Sequence, residues 1–177
     1  MLDVIWKSCT GLVLAIAATS ALATSEACTP LPGGFEFCPG VTDWAGAEVV
    51  PFTNGVAFDL PPYWLEVMEA PDAIAQAASL EAALDALTEL LAAQARNEGL
   101  DAPETLGREA FSAGEMNAVT LTTRIALPED EPMVFVSMIA GQGDRRLFVT
   151  LDDENEEHAD VEQELRRIAS FFVLREE

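Results

Sequence analysis

The stretch VTLTTRIAL, residues 119–127, decides the fold because its apolar side chains recur at every second position. A period of two sends alternate side chains to opposite faces, so this stretch predicts a β-strand with one apolar face. The following run, MVFVSMI at 133–139, is apolar on both faces. A strand of that kind needs cover on both sides, so we predict that it lies near the middle of a sheet.

Shorter β-prone runs lie on either side of these two strands. Residues 49–52 and 56–60 flank Asn54-Gly55, a dipeptide that favours the tight turn of a hairpin. Residues 107–111 and 146–151 predict two further strands.

Two stretches have the spacing of amphipathic helices, about 71–97 and about 156–174. Either Asp72 or Ser79 is suited to cap the first helix. The apolar stripes are Leu80, Leu84, Leu87 and Leu91 in the first helix, and Val161, Leu165, Ile168 and Phe172 in the second. The pattern predicts an α+β protein, an α/β/α sandwich whose mostly antiparallel sheet of about five or six strands carries a long helix on each face.

The N-terminus has the pattern of a secretory signal peptide. A short start containing Lys7 precedes an apolar run, which ends in the small residues Ala21-Leu22-Ala23. We therefore predict a signal peptide at 1–23, cleaved near Ala23, an irregular lead-in at 24–46 and a single α+β domain at 47–177. The mature protein would be periplasmic or secreted. Lipidation at Cys28 and retention of the segment as an anchor are the alternatives.

Two cysteines remain after such a cleavage, Cys28 and Cys38. An even pair in an oxidising compartment predicts a disulfide that closes a short loop rich in Pro and Gly. We expect this bond to stabilise the lead-in by about 2–3 kcal/mol. Because the loop lies outside the predicted sheet, its reduction should not abolish the fold.

The charge balance restricts the partners of this chain. Its 31 acids against 9 bases give a formal net charge of −22. Such a field repels phosphates, which excludes nucleic acid and anionic membrane surfaces as partners and favours a basic protein or a cation. Adaptation of the whole surface to a salty habitat is the alternative interpretation of the same composition.

The order of the elements resembles that of a known family. The segments that carry the resemblance are Phe58-Asp59-Leu60-Pro61-Pro62-Tyr63-Trp64, Arg146-Leu147-Phe148-Val149-Thr150 and Ile168-Ala169-Ser170-Phe171-Phe172. The chain from 49 to 174 resembles the PsbP-like superfamily, which includes the DcrB-type periplasmic proteins. The resemblance implies a non-enzymatic accessory module: an assembly factor, a stabiliser of membrane complexes or a small binding protein, some of which have metal sites. No functional residue carries over, because the matching positions are structural.

The acidic run after residue 151 is the candidate metal site. Its hard oxygen ligands suit Ca²⁺, although a calcium-loop template fails at Glu157 and Gln163. The candidate ligands are Asp152, Asp153, Glu154, Glu156 and Glu157. A solvated loop before a helix N-terminus is the alternative.

The sequence offers no catalytic constellation and no motif for an organic cofactor. The only histidine, His158, lies among acids that favour its charged form, which is wrong for a resting general base. We therefore predict that the chain is not an enzyme.

Tyr63 and Trp64, beside Pro61-Pro62, are the candidate partner surface, with lids over the core as the alternative interpretation. We predict an exported, non-enzymatic accessory or binding module that acts through a protein surface. The alternatives are a calcium-responsive acidic domain and a hydrolase with an unidentified carboxylate.

Overall fold

The computed structural model describes residues 28–126, 132–153 and 158–175. Its α-helices are α1 (Asp72–Ala75), α2 (Leu80–Asn97) and α3 (His158–Ala169). Its strands are β1 (Thr29–Pro30), β2 (Phe35–Phe37), β3 (Glu48–Phe52), β4 (Gly55–Leu60), β5 (Tyr63–Glu69), β6 (Glu104–Ala113), β7 (Met116–Ile125), β8 (Met133–Gln142), β9 (Arg145–Asp153) and β10 (Phe172–Leu174).

The strands form two antiparallel sheets. The main sheet has seven strands in the order β3-β4-β5-β9-β8-β7-β6, and the smaller one has three in the order β1-β2-β10. The α+β class and the antiparallel sheet are therefore confirmed. The predicted five or six strands are too few, because β5 follows Pro61-Pro62 as a full strand where none was predicted.

β8 has the surroundings that its apolar sequence predicts. It pairs with β9 on one side and with β7 on the other. Val136 and Met138 belong to one buried cluster and Ile139 to a second cluster on the opposite face. The main sheet therefore has a hydrophobic core on each face.

The two faces are covered differently. α2, with 18 residues, packs on β7 and β8 on one face. The other face is covered by α3, which has only 12 residues, together with the segments of the smaller sheet. The prediction of a long helix on each face is therefore wrong. None of the helices within the described ranges has both the length and the apolar composition needed to cross a membrane.

The first predicted helix is divided in two. α1 ends at Ala75, and α2 begins after Ser79, whose Oγ accepts a hydrogen bond of 3.1 Å from the Ala82 amide. This bond satisfies one of the free amides of the first turn, which a hydroxyl at the N-cap does well. Of the two predicted caps, Ser79 is the one that begins the long helix.

The second predicted helix also ends early, because the chain turns at Ser170 and Phe171 into β10. β10 pairs with β2, so that Val173 lies opposite Glu36 and Phe172 opposite Phe37. Phe172 is buried as its place in the apolar stripe predicts, but it is buried from a strand. Pairing with β2 replaces the helical hydrogen bonds that the last turn would have made.

Residues 28–46, predicted to be an irregular lead-in, are part of the core. The alternation Phe35-Glu36-Phe37 forms β2, and both phenylalanines are buried. Trp44 is also buried, and its indole N–H donates to Glu164 of α3 at 2.5 Å. The segment therefore packs in the same cluster as α3.

An ion-pair network also connects residues 28–46 to α3. Arg167 of α3 contacts Asp43 at 2.9 Å and Glu164 at 2.5 Å. The hydrogen bond from Arg167 lowers the pKa of the Asp43 carboxyl. Because Asp43 and Arg167 are exposed, although Glu164 is mostly buried, we expect the pair of Asp43 with Arg167 to orient the segment more than to stabilise it.

The disulfide Cys28–Cys38 is present, as predicted, and it closes a loop with a sequence separation of 10. Because the loop holds β2 in the core, we now expect its loss to lower the stability of the whole fold. Replacing both cysteines with serine should lower the free energy of unfolding by about 2–3 kcal/mol. Urea denaturation followed by circular dichroism measures this loss. An unchanged midpoint would show that the bond does not constrain the core.

Candidate functional site

The register of the main sheet aligns a row of polar side chains across four neighbouring strands. The row runs from β3 through β4 and β5 to β9 and consists of Glu48, Asp59, Trp64 and Asp152. Residues directly opposite each other in antiparallel strands project from the same side of the sheet. The four side chains therefore share one face, with Trp64 between two aspartates.

A second row lies two residues further along the strands and consists of Val50, Ala57, Glu66 and Thr150. We call the two rows together the Trp64 face. Glu48 and Asp152 are exposed, Trp64 and Glu66 are half-buried, and Ala57 is buried. The face is thus accessible, acidic and built around one aromatic ring.

The Trp64 face is on the same side of the sheet as α2. The side chains that alternate with this face along β5 and β9 belong to the core cluster of the opposite face; they are Leu65, Val67 and Leu151. On the α2 side, α2 lies against β7 and β8, while the short α1 lies against β9. On this side of the sheet, within the described part of the chain, neither α1 nor α2 packs extensively on β3, β4 or β5.

Trp64 is held in place by a neighbour on its own strand. Its indole N–H donates to Glu66 Oε1 at 3.0 Å. Residues two apart on a strand lie on one face, about 6–7 Å apart, which permits this bond. The bond fixes the ring and places a carboxylate beside it.

Folding raises the pKa of the Asp152 carboxyl. Desolvation by its neighbours is the largest cause, and the negative charge of Glu66 adds to it. Both effects disfavour the charged form. The charged carboxylates of Asp152 and Glu66 therefore repel each other.

The raised pKa has a consequence for stability. A carboxyl that holds its proton more tightly in the folded state destabilises the fold once it is charged. This penalty is absent below the unfolded pKa and develops as the pH rises through the folded pKa. Asp152→Asn should therefore raise the melting temperature at pH 7 by about 1–2 °C, allowing for solvent screening, and have no such effect at pH 3. Glu89→Gln on α2 removes the same charge elsewhere, and an equal rise in that variant would contradict the assignment.

The two aromatic residues of the predicted partner surface do not lie together. Tyr63 precedes Trp64 on β5 and therefore projects from the opposite face. There its ring stacks on buried Trp44, with centroids 6.2 Å apart. Tyr63 covers the core, the alternative interpretation, whereas Trp64 belongs to an accessible face.

Part of the predicted metal site can be placed. Asp152 and Asp153 are the last two residues of β9. The other candidates, Glu154, Glu156 and Glu157, lie outside the described residues, so a calcium site there stays a prediction. His158 is the first residue of α3.

One group of potential metal ligands lies elsewhere. Glu36 lies beside Cys28 and Cys38, and ligand atoms of the three are within 4.8 Å of one another. The two sulfur atoms are bonded to each other. A disulfide lacks the thiolates that bind metals, so we assign this group a structural role.

Glu48, Asp59 and Glu66 were not among the predicted site residues. Each lies on a short strand made mostly of apolar residues. A charge on such a strand indicates a side chain that avoids the core. Only the pairing of β3, β4, β5 and β9 brings them together around Trp64.

The architecture is that of a mixed α+β domain with a large antiparallel sheet, two N-terminal strands joined by the disulfide, and an acidic sheet face. The solution structure of cyanobacterial PsbP (CyanoP) from Synechocystis sp. PCC 6803 is similar to it, with a TM-score of 0.52 and 18% identity over 80% of this chain and 87% of that one.

A second solved structure is less similar. It is PA94 from Pseudomonas aeruginosa, a protein of unknown function, with a TM-score of 0.42 and 14% identity over 73% of this chain and 82% of that one. No protein-family model matches the sequence, and no curated protein matches it. The resemblance to PsbP-like proteins is confirmed, at the level of the fold alone, by the similarity to the CyanoP structure.

Proposed function

We propose that the chain is an exported, non-enzymatic accessory domain that binds a protein partner through the Trp64 face. The observation that carries the proposal is this accessible half of the sheet, where polar side chains surround a fixed tryptophan. A solvated sheet face needs only polar side chains, whereas aromatic rings are enriched at the centres of protein interfaces.

Three further features support the proposal. The disulfide between Cys28 and Cys38 is typical of an oxidising compartment outside the cytoplasm. The PsbP-like fold agrees with the accessory role that the sequence resemblance implies. The opposite side of the sheet is filled by α3 and the aromatic residues of the smaller sheet, which leaves the Trp64 face as the accessible one.

Photocrosslinking in the native host tests the proposal. A photoreactive phenylalanine analogue replaces Glu48 on the Trp64 face or, as the control, Glu89 on α2; both glutamates are exposed. We expect a discrete crosslinked product of higher mass from position 48 and none from position 89. Equal products from both positions, or none from position 48, would contradict the proposal.

Export is tested on the same material. Mass spectrometry of the protein recovered from the extracytoplasmic fraction should give a chain that begins at Thr24. Recovery of the intact chain from the cytoplasm would contradict this part of the proposal.

A further inference from the structure

We propose that the Trp64 face receives an arginine-bearing segment of its partner, with a guanidinium group placed on Trp64 between Asp59 and Asp152. This inference rests on the proposed function and adds the chemistry of the partner. It is supported by the negative charge of the face, by the spacing of its strands and by the poorer fit of other occupants.

The charge of the face calls for a cation. Its two rows contribute four carboxylates, those of Glu48, Asp59, Glu66 and Asp152. Five arginines pair with acids outside this face: Arg108, Arg124, Arg166, Arg167 and Arg175. Arg146, on the same side of β9, donates to the backbone oxygens of Ile74 and Ala75. The complementary charge would then come from a partner rather than from these six arginines.

The spacing favours arginine among the basic side chains. Asp59 and Asp152 each lie one strand away from Trp64, and adjacent strands are about 4.8 Å apart. A guanidinium group on the indole would thus have a carboxylate within one strand spacing on either side. Arginine stacks on aromatic rings and binds carboxylates through two parallel hydrogen bonds, whereas lysine offers a point charge.

Other occupants fit less well. A second copy of this chain carries the same net charge of −22 and the same acidic face. The segments that follow β7 and β9 in the sequence, 127–131 and 154–157, contain only acidic charges. A basic segment, in contrast, would neutralise the four carboxylates that the strand register brings together on this face.

The test uses the full chain, purified as its host processes it, and a defined probe. The probe is a short peptide in which arginine alternates with glycine, and the control peptide has citrulline, a neutral isostere, in place of arginine. Binding is followed by calorimetry at fixed ionic strength and by the NMR resonance of the Trp64 indole N–H. We expect the arginine peptide to bind and shift that resonance, and the citrulline peptide to do neither.

Matched variants separate a local site from the general acidity of the protein. Asp59→Asn with Asp152→Asn should weaken binding of the arginine peptide about tenfold or more. Glu81→Gln with Glu89→Gln, two exposed positions on α2, removes the same charge and should change it less than about twofold, because solvent screens distant charges. Dispersion of the NMR spectrum verifies that each variant is folded.

Each result decides the inference. Equal losses in the two double variants, an unmoved Trp64 resonance, or absence of binding would overturn it. A dimer formed through this face would also overturn it. Crosslinks from position 48 without binding of the peptide would leave the proposed function standing and refute the arginine chemistry. Binding of the peptide without crosslinks would refute the proposed function instead.

Discussion

Replacing Phe37 with alanine is expected to lower the free energy of unfolding by about 3–5 kcal/mol. Phe37 is 0% exposed at the end of β2. Its ring lies 4.4 Å from that of Phe58 and 5.6 Å from that of Phe172, measured between centroids. The substitution would therefore leave a cavity where the smaller sheet meets the main sheet, and rigid neighbours on two elements could not fill it.

Urea denaturation monitored by circular dichroism measures this loss. Val41→Ala is the control, because Val41 is 99% exposed in the same segment and its truncation should cost less than about 0.5 kcal/mol. A loss below about 1 kcal/mol for Phe37→Ala would show that residues 28–46 do not share the core. The difference between the two losses of stability reports the burial of Phe37 and not a general sensitivity of residues 28–46 to substitution.

The sequence predicted the parts of the fold where a single period dominates. The alternation at 119–127 became β7, and the doubly apolar run at 133–139 became β8, paired on both sides. The hairpin of β3 and β4 was also predicted, although its two turn residues are Thr53 and Asn54. The apolar pattern of β8 reports burial on both of its faces, whereas Thr120 and Thr122, at the polar positions of β7, are also buried.

The failures occurred where tertiary pairing overrides a local pattern. Phe172 continues the helical stripe of α3, yet its segment pairs with β2, which is far away in the sequence. Three residues, Phe35-Glu36-Phe37, are too short to predict a strand alone. Each segment becomes a strand because the other is present, and such a pairing is not visible in either segment by itself.

The candidate site shows the same limit. Tyr63 and Trp64 were predicted together as a partner surface because both are aromatic residues beside Pro61-Pro62. Adjacency on a strand places them on opposite faces, so one stacks on Trp44 and the other is accessible. The acids around Trp64 come from strands far apart in the chain, and only the register of the sheet collects them.

The second large effect is expected at Leu87, whose replacement by alanine should cost about 2–5 kcal/mol. Leu87 is 3% exposed and belongs to the cluster that contains Leu121 and Ile139 beneath α2. Leu90→Ala is the matched control on the same helix, since Leu90 is 40% exposed and should lose less than about 1 kcal/mol. Both substitutions raise helix propensity equally, so the difference between their unfolding free energies reports burial alone.

This comparison also bears on the Trp64 face. If the two leucine variants lose equal stability, α2 is not seated on β7 and β8 as described, and it could lie over the acidic half of the sheet instead. A loss of stability in the Leu87 variant alone would show that α2 packs on β7 and β8. The carboxylates around Trp64 then remain accessible, which is the condition that binding of a partner there requires.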